Sequence, residues 1–145
     1  MSVHPNWPYV NFIARTVVGL LFLMAGIWKV FTLTAAKHAE QFFVQGFTDH
    51  WIPTWLLNLL GYSIPYFELI VGALIVVGLQ ARYALIAAGL LLVITTYGHA
   101  LQQPLFDIDG HTFTRLILIF IVLLAPVGSD KFSLDYAINQ MRGKQ

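Results

Sequence analysis

Four apolar runs dominate this chain and restrict what it can fold into. A helix needs about 20 apolar residues to cross roughly 30 Å of hydrocarbon. The first three runs have that length, whereas the fourth, at about 15 residues, has to tilt or borrow the polar residues before it. The runs cover residues 9–33, 55–79, 82–101 and 113–127. They predict an all-α integral membrane protein, an antiparallel four-helix bundle in one domain over residues 1–145.

The composition excludes several classes of soluble protein. Only 10% of the residues are charged and 58% are hydrophobic, whereas soluble domains carry about 25% charged residues. A net charge of +1 without a basic run excludes nucleic-acid binding, which needs a concentrated Lys/Arg footprint. The chain has no cysteine, so a redox role requires a bound cofactor or a partner subunit.

The distribution of Lys and Arg predicts an orientation in the lipid bilayer. Four spans place both termini and the tight turn at Gln80 and Ala81 on one side, and more cations lie on that side. The positive-inside rule then predicts cytoplasmic termini in a bacterial inner membrane. Between the first two spans, helix-forming residues run up to Gly46. We expect a short amphipathic helix there, on the outer face, which either covers the bundle or binds a partner.

Two cations share one stripe of the first span. Arg15, Gly19, Gly26 and Lys29 fall within about 80° of one another on a helix. Small residues allow a second helix to approach closely, so the stripe is predicted to face protein. The alternative is that Arg15 and Lys29 only extend to opposite membrane interfaces.

Glu68 lies near the middle of the second span, after Pro65, where a carboxylate cannot reach water easily. A charge at that depth costs about 2.5–3.5 kcal/mol or more unless it is paired or used. With antiparallel helices, Glu68 is about 10 Å in depth from both Arg15 and Lys29. We predict a structural ion pair between Arg15 and Glu68. A catalytic role of Glu68 as a proton relay, or a ligand contact, is the alternative.

Two further ionisable residues, His99 and Arg115, lie where the outer headgroups meet the apolar region. Together with Lys29 they are predicted to bind an anionic or carbonyl-bearing ligand, such as a quinone headgroup. A quinone is therefore the candidate cofactor. The chain contains no GxGxxG, P-loop or nucleophile elbow, so no self-contained catalytic motif indicates whether the protein is an enzyme.

Histidines and carboxylates also gather on the predicted outer face. These side chains suit zinc, copper or iron, but no pair has a strong spacing such as HExxH. A solvated loop surface is the alternative to a metal site. The candidate ligands are His38, His50, Asp107, Asp109 and His111.

Several short motifs follow one another in a characteristic order. After the stripe of the first span come Phe67-Glu68-Leu69-Ile70-Val71-Gly72, then Gly78, then Ala125-Pro126-Val127-Gly128 and Ser133-Leu134-Asp135. In this order and spacing the chain resembles the DoxX family of small four-helix membrane proteins. The resemblance implies an accessory subunit of a quinone-linked membrane redox complex, with Arg15, Lys29 and Glu68 as recurrent polar residues.

Three functions are open from the sequence. The first is the quinone-linked accessory subunit, embedded in lipid beside a larger membrane protein or in a homo-oligomer. The second is a non-enzymatic adaptor or assembly chaperone, which would use the glycine stripe and the amphipathic loop to bind its partner. The third is metal handling at the outer face.

Overall fold

The computed structural model describes residues 4–102 and 112–143, and every regular element in that part of the chain is helical. The prediction of an all-α protein is confirmed for these residues. Two π-helical segments, Trp28–Thr32 and Ala39–Val44, continue α1 and α2 respectively. The α-helices are α1 (Trp7–Ile27), α2 (Ala35–His38), α3 (Thr54–Val77), α4 (Ala81–Gln102), α5 (Thr114–Leu124) and α6 (Leu134–Arg142).

Three helical stretches are long and apolar enough to cross a membrane. They are Trp7–Thr32, Thr54–Val77 and Ala81–Gln102, which correspond to α1 with its π-helical end, α3 and α4. α5 has 11 residues and rises about 16 Å, roughly half the thickness of the hydrocarbon layer. The structure therefore describes a multi-pass helical membrane protein, and the fourth crossing over residues 113–127 stays a prediction.

Glycines bring α1 and α3 into close contact. A Cβ atom at Gly26 would overlap the backbone of Leu69, and one at Gly72 would overlap the backbone of Leu23. The glycine stripe of α1 thus faces α3 rather than an external partner. α5 packs against α1 and α4, and α4 packs against α3. The core between these helices contains Val18, Phe22, Ile75, Leu85, Ala88 and Ile119.

The bundle has two ends. We call the end formed by the start of α1, the α3–α4 turn and α6 the terminal end. We call the end formed by the segment between α1 and α3 together with the last turn of α4 the loop end. At the loop end, the predicted short helix is present as α2 and its π-helical continuation, with Ala35, His38 and Ala39 buried and Lys37 and Glu40 exposed.

At the terminal end, Arg15 is 1% exposed and has acceptors on two other segments. Its Nε lies 2.7 Å from Asp130 Oδ2. One terminal nitrogen donates to the carbonyl oxygens of Ile75 and Val76, each at 2.6 Å, and the other donates to Phe132 O. The predicted Arg15–Glu68 ion pair is wrong, because the end of α3 and Asp130 supply acceptors at the depth of Arg15 itself.

The turn between α3 and α4 is tight and receives its caps from the tail. Gly78 and Gln80 have positive φ angles of 71° and 46°. Asp135 accepts hydrogen bonds from the backbone N–H groups of Gln80 and Ala81, at 2.8 and 3.0 Å. The tail segment 130–135 thus fixes the start of α4 from outside the helix pair.

Candidate functional site

A cavity of about 770 Å³ lies in the loop-end half of the bundle. α1, α3, α4 and the start of α5 form its walls, and the segment after α2 covers it with aromatic side chains. The apolar lining includes Phe22, Phe42, Phe43, Phe47, Leu60, Ile64, Leu91 and Leu92. The predicted bundle therefore contains a space large enough for an organic molecule.

An ion pair lies in the wall of this cavity. Lys29 Nζ is 2.7 Å from Glu68 Oε2. The Glu68 side chain is only 4% exposed and that of Lys29 is 21% exposed. Lys29 belongs to the π-helical end of α1, and single π-helical turns are frequent at functional sites. Glu68 is thus paired, but with the cation at the loop end instead of Arg15.

Arg115 also lines the cavity, from the first turn of α5. Its guanidinium carbon lies 5.2 Å from the centroid of the Phe22 ring, a cation–π distance. Glu68 is the carboxylate that interacts with it electrostatically. Within residues 4–102 and 112–143, Arg115 forms no ion pair and no hydrogen bond. One carboxylate therefore serves two cations in this wall.

His38 lies beside the cavity and has a structural contact that the sequence analysis missed. Its Nδ1 is 2.7 Å from the carbonyl oxygen of Gly61. Pro65, one turn further along α3, has no N–H to offer that oxygen. Burial lowers the pKa of His38, so the imidazole is held neutral. A proline four residues after a glycine in a buried helix was the available signal, because the freed carbonyl needs a donor.

The other predicted site residues fall into two groups. His99 is exposed and lines the same cavity as Lys29 and Arg115, which brings the three predicted ligand-binding residues together. His50 is hydrogen-bonded to the carbonyl oxygen of Leu101 through Nε2. Among the described residues no three His, Asp or Glu side chains are grouped as metal ligands. Asp107, Asp109 and His111 lie outside the described residues.

Fold and cavity together define a multi-pass helical membrane protein with a mostly apolar cavity in its loop-end half. The chain belongs to the family of methylamine utilisation protein MauE, because the model of that family matches residues 7–104, more than half of the chain. No curated protein and no solved structure matches it.

The resemblance to DoxX was wrong, since the family that matches is MauE. The stripe residues Arg15, Gly19 and Gly26 cap and pack α3. Any small bundle of tightly packed membrane helices needs capped helix ends and small residues at its helix contacts. Such motifs therefore do not identify one family. The tail motifs at residues 125–135 lie beyond the matched region.

Proposed function

We propose that this protein is a membrane-embedded accessory subunit that holds an amphipathic ligand for a larger membrane system. The observation that carries the proposal is the cavity of about 770 Å³ with Lys29, Glu68 and Arg115 in its otherwise mostly apolar wall. Small-molecule sites typically have about 300–1,000 Å³, apolar linings and a few placed polar groups. A molecule with an apolar body and an oxygen-bearing headgroup suits this arrangement.

A quinone is one ligand of this class, and with a quinone bound the protein would serve a redox complex. Its carbonyl oxygens would accept hydrogen bonds from Arg115 or Lys29, and its tail would lie along the apolar wall. Glu68 is the buried carboxyl group beside them, and we propose that it gives a proton to the quinone when the larger complex supplies electrons to it, and takes one back when that complex removes electrons from the quinol. His99 would be a further polar contact.

The name of the family supplies a setting for this role. Its members are described as methylamine utilisation proteins. We therefore propose that the larger system serves the utilisation of methylamine or a related amine, and that the partner is a membrane-associated component of it.

A second candidate function is that of an adaptor or assembly factor. α4 is the least covered long helix, with 28% of its apolar window buried against 39% for α1 and α3. A Cβ atom at Gly89 of α4 would meet nothing within 4 Å. The glycines of α1 already pack against α3, so a partner helix would pack against the exposed face of α4.

Native mass spectrometry of protein extracted from its own membranes in mild detergent tests both functions. We expect a stoichiometric small-molecule adduct, which Leu60→Trp abolishes by filling the cavity. Leu59→Trp, on the neighbouring residue that is 57% exposed, is the matched control and should keep the adduct. Protein without an adduct would overturn the ligand-binding proposal, and a defined protein partner in its place would favour the adaptor.

A further inference from the structure

We infer that the cavity selects a singly charged anionic amphiphile, with a carboxylate or phosphodiester headgroup on an apolar chain, and that Arg115 anchors that headgroup. This inference rests on the proposed ligand-binding function and narrows it to an anion, and the neutral quinone is the alternative that the test compares. The ligand class follows from three observations: the charges in the cavity wall, the hydrogen-bonding state of Arg115, and the apolar side chains that surround these charges.

Among the described residues, the formal charges in the cavity wall do not cancel. Lys29 and Glu68 neutralise one another at 2.7 Å. Arg115 adds a second positive charge, which interacts with the same carboxylate. His38 donates through Nδ1 to Gly61 O and is buried, so it stays neutral. Apart from the histidines, the charged side chains among the described lining residues are Lys29, Glu68 and Arg115, and together they leave a net charge of one positive unit.

The hydrogen-bonding groups of Arg115 point to the same class. A guanidinium carries five N–H donors in a planar fork that matches a carboxylate or phosphate. In the part of the chain that the structure describes, none of these donors has an acceptor, and the guanidinium carbon lies 5.2 Å from the centroid of the Phe22 ring. The phenyl ring attracts the cation but carries no oxygen or nitrogen acceptor, so the N–H donors can bond to a ligand oxygen.

The apolar side chains around Arg115 strengthen its attraction to a ligand of opposite charge. An unpaired ion away from water is costly, and a partner of opposite sign recovers that cost far better than a neutral one. A neutral quinone or ester would leave the extra positive charge uncompensated. A headgroup with one negative charge compensates it, and its chain fills the apolar part of the cavity.

The test compares palmitate with its methyl ester and with a short-chain ubiquinone. Binding is measured at alkaline pH to the full protein in an uncharged maltoside detergent, because every phospholipid carries a phosphodiester group of its own. We expect palmitate to bind at least about tenfold more tightly than either neutral ligand, since a hydrogen bond to a charged group is worth about 1.5–3 kcal/mol. Phosphatidylglycerol added as a competitor identifies the source: displacement of palmitate indicates a phosphodiester lipid, and no displacement indicates a carboxylate.

Two variants of the anchor and one control make the result specific. Arg115→Gln should abolish the preference for the anion, and Arg115→Lys should retain part of it if the protein folds normally. Arg82→Gln removes an exposed cation at the opposite end of the bundle and should change nothing.

The outcomes separate the inference from the proposed function. Equal binding of acid and ester, lost in Leu60→Trp, would overturn the anion inference and leave the ligand cavity standing. No binding of any of the three ligands would contradict both. A preference for the anion that survives Arg115→Gln would show that another group anchors it.

Discussion

At the scale of single residues, Pro65 determines what the first loop must supply. Proline has no N–H, so the carbonyl of Gly61 one turn earlier has no donor within α3. His38 fills this position at 2.7 Å, which requires that its hydrogen sits on Nδ1. Gly61 itself has to lack a side chain, because a Cβ there would lie 2.6 Å from the Cα of Ala39. His38, Gly61 and Pro65 together thus hold α2 and its π-helical continuation, which cover the cavity, against α3.

Replacing His38 should therefore cost stability in a way that depends on Pro65. We expect His38→Ala to lower the free energy of unfolding in mild detergent by about 1–3 kcal/mol, because a buried carbonyl loses its donor. In a Pro65→Ala background the cost should be smaller, because alanine restores the helical N–H. Lys37→Ala, at an exposed residue of the same helix, is the control. Equal costs in both backgrounds would contradict the pairing.

The protonation of His38 should also make stability depend on pH. Burial lowers its pKa in the folded protein below the usual value of 6.5. The unfolded chain therefore binds the proton first as the pH falls, and folding loses free energy below about pH 6.5. We expect the melting temperature to drop between about pH 7 and pH 5, and to drop less in His38→Gln, whose amide donates without titrating. Parallel pH profiles of the two proteins would argue against this account.

At the scale of helices, the α3–α4 pair depends on groups from other segments. Helix ends leave carbonyl and N–H groups without partners, and within a membrane these need a replacement for water. Arg15 serves the end of α3 through the oxygens of Ile75 and Val76. Asp135 serves the start of α4 through the N–H groups at Gln80 and Ala81. The hairpin and the tail therefore form one hydrogen-bonded unit.

Removing the carboxylate of Asp135 should loosen this unit. We expect Asp135→Ala to lower the free energy of unfolding by about 1–2 kcal/mol, the usual cost of losing an N-terminal helix cap. Hydrogen exchange at Gln80 and Ala81 should become faster, which mass spectrometry can measure. Asp49→Ala, at an exposed loop residue, should leave both quantities unchanged. Unaltered exchange at the turn would mean that water replaces the carboxylate without loss.

The partners of the buried charges show where sequence reasoning stops. Apolar runs predict helices because hydrocarbon offers the backbone no hydrogen bonds. Glu68 in mid-span predicts a partner because hydrocarbon does not solvate a charge. The choice between Arg15 and Lys29 does not follow, since an ideal 3.6-residue helix gives no sign that α1 ends in a π-helical turn around Lys29. Nor does the sequence show that Asp130, 115 residues away, lies beside Arg15. The cavity likewise depends on how the loop folds back onto α3.

At the scale of the whole molecule, the path of the chain supports a fourth crossing. α4 ends at the loop end, where Gln102 donates to the carbonyl oxygen of Gly46. Arg115 lies in the same half of the bundle, in the wall of the cavity and beside Phe22. Asp130 and Asp135 lie at the opposite end, beside Arg15 and the α3–α4 turn. The segment from α5 to Asp130 therefore runs from the loop-end half of the bundle to the terminal end.

Single cysteines can test this path, because the chain has none of its own. We expect Asn6→Cys and Gln140→Cys to react with a membrane-impermeant maleimide only after cells are permeabilised, as the predicted cytoplasmic termini require. Thr48→Cys should react in intact spheroplasts. Labelling of positions 6 and 140 from opposite sides would contradict the fourth crossing, and reversed labelling of all three would contradict the orientation.

The caps that the tail gives to the α3–α4 turn have a consequence for biosynthesis. The ribosome adds Asp135 55 residues after Gln80, so both helices of the hairpin are synthesised before their caps. In the interval, the Arg15 donors that later bind Asp130 and Phe132, and the N–H groups of the turn, need temporary partners such as water at the interface or the insertion machinery. The hairpin is thus first inserted without its final hydrogen bonds, and the folding of the tail is the step that completes them and stabilises the turn.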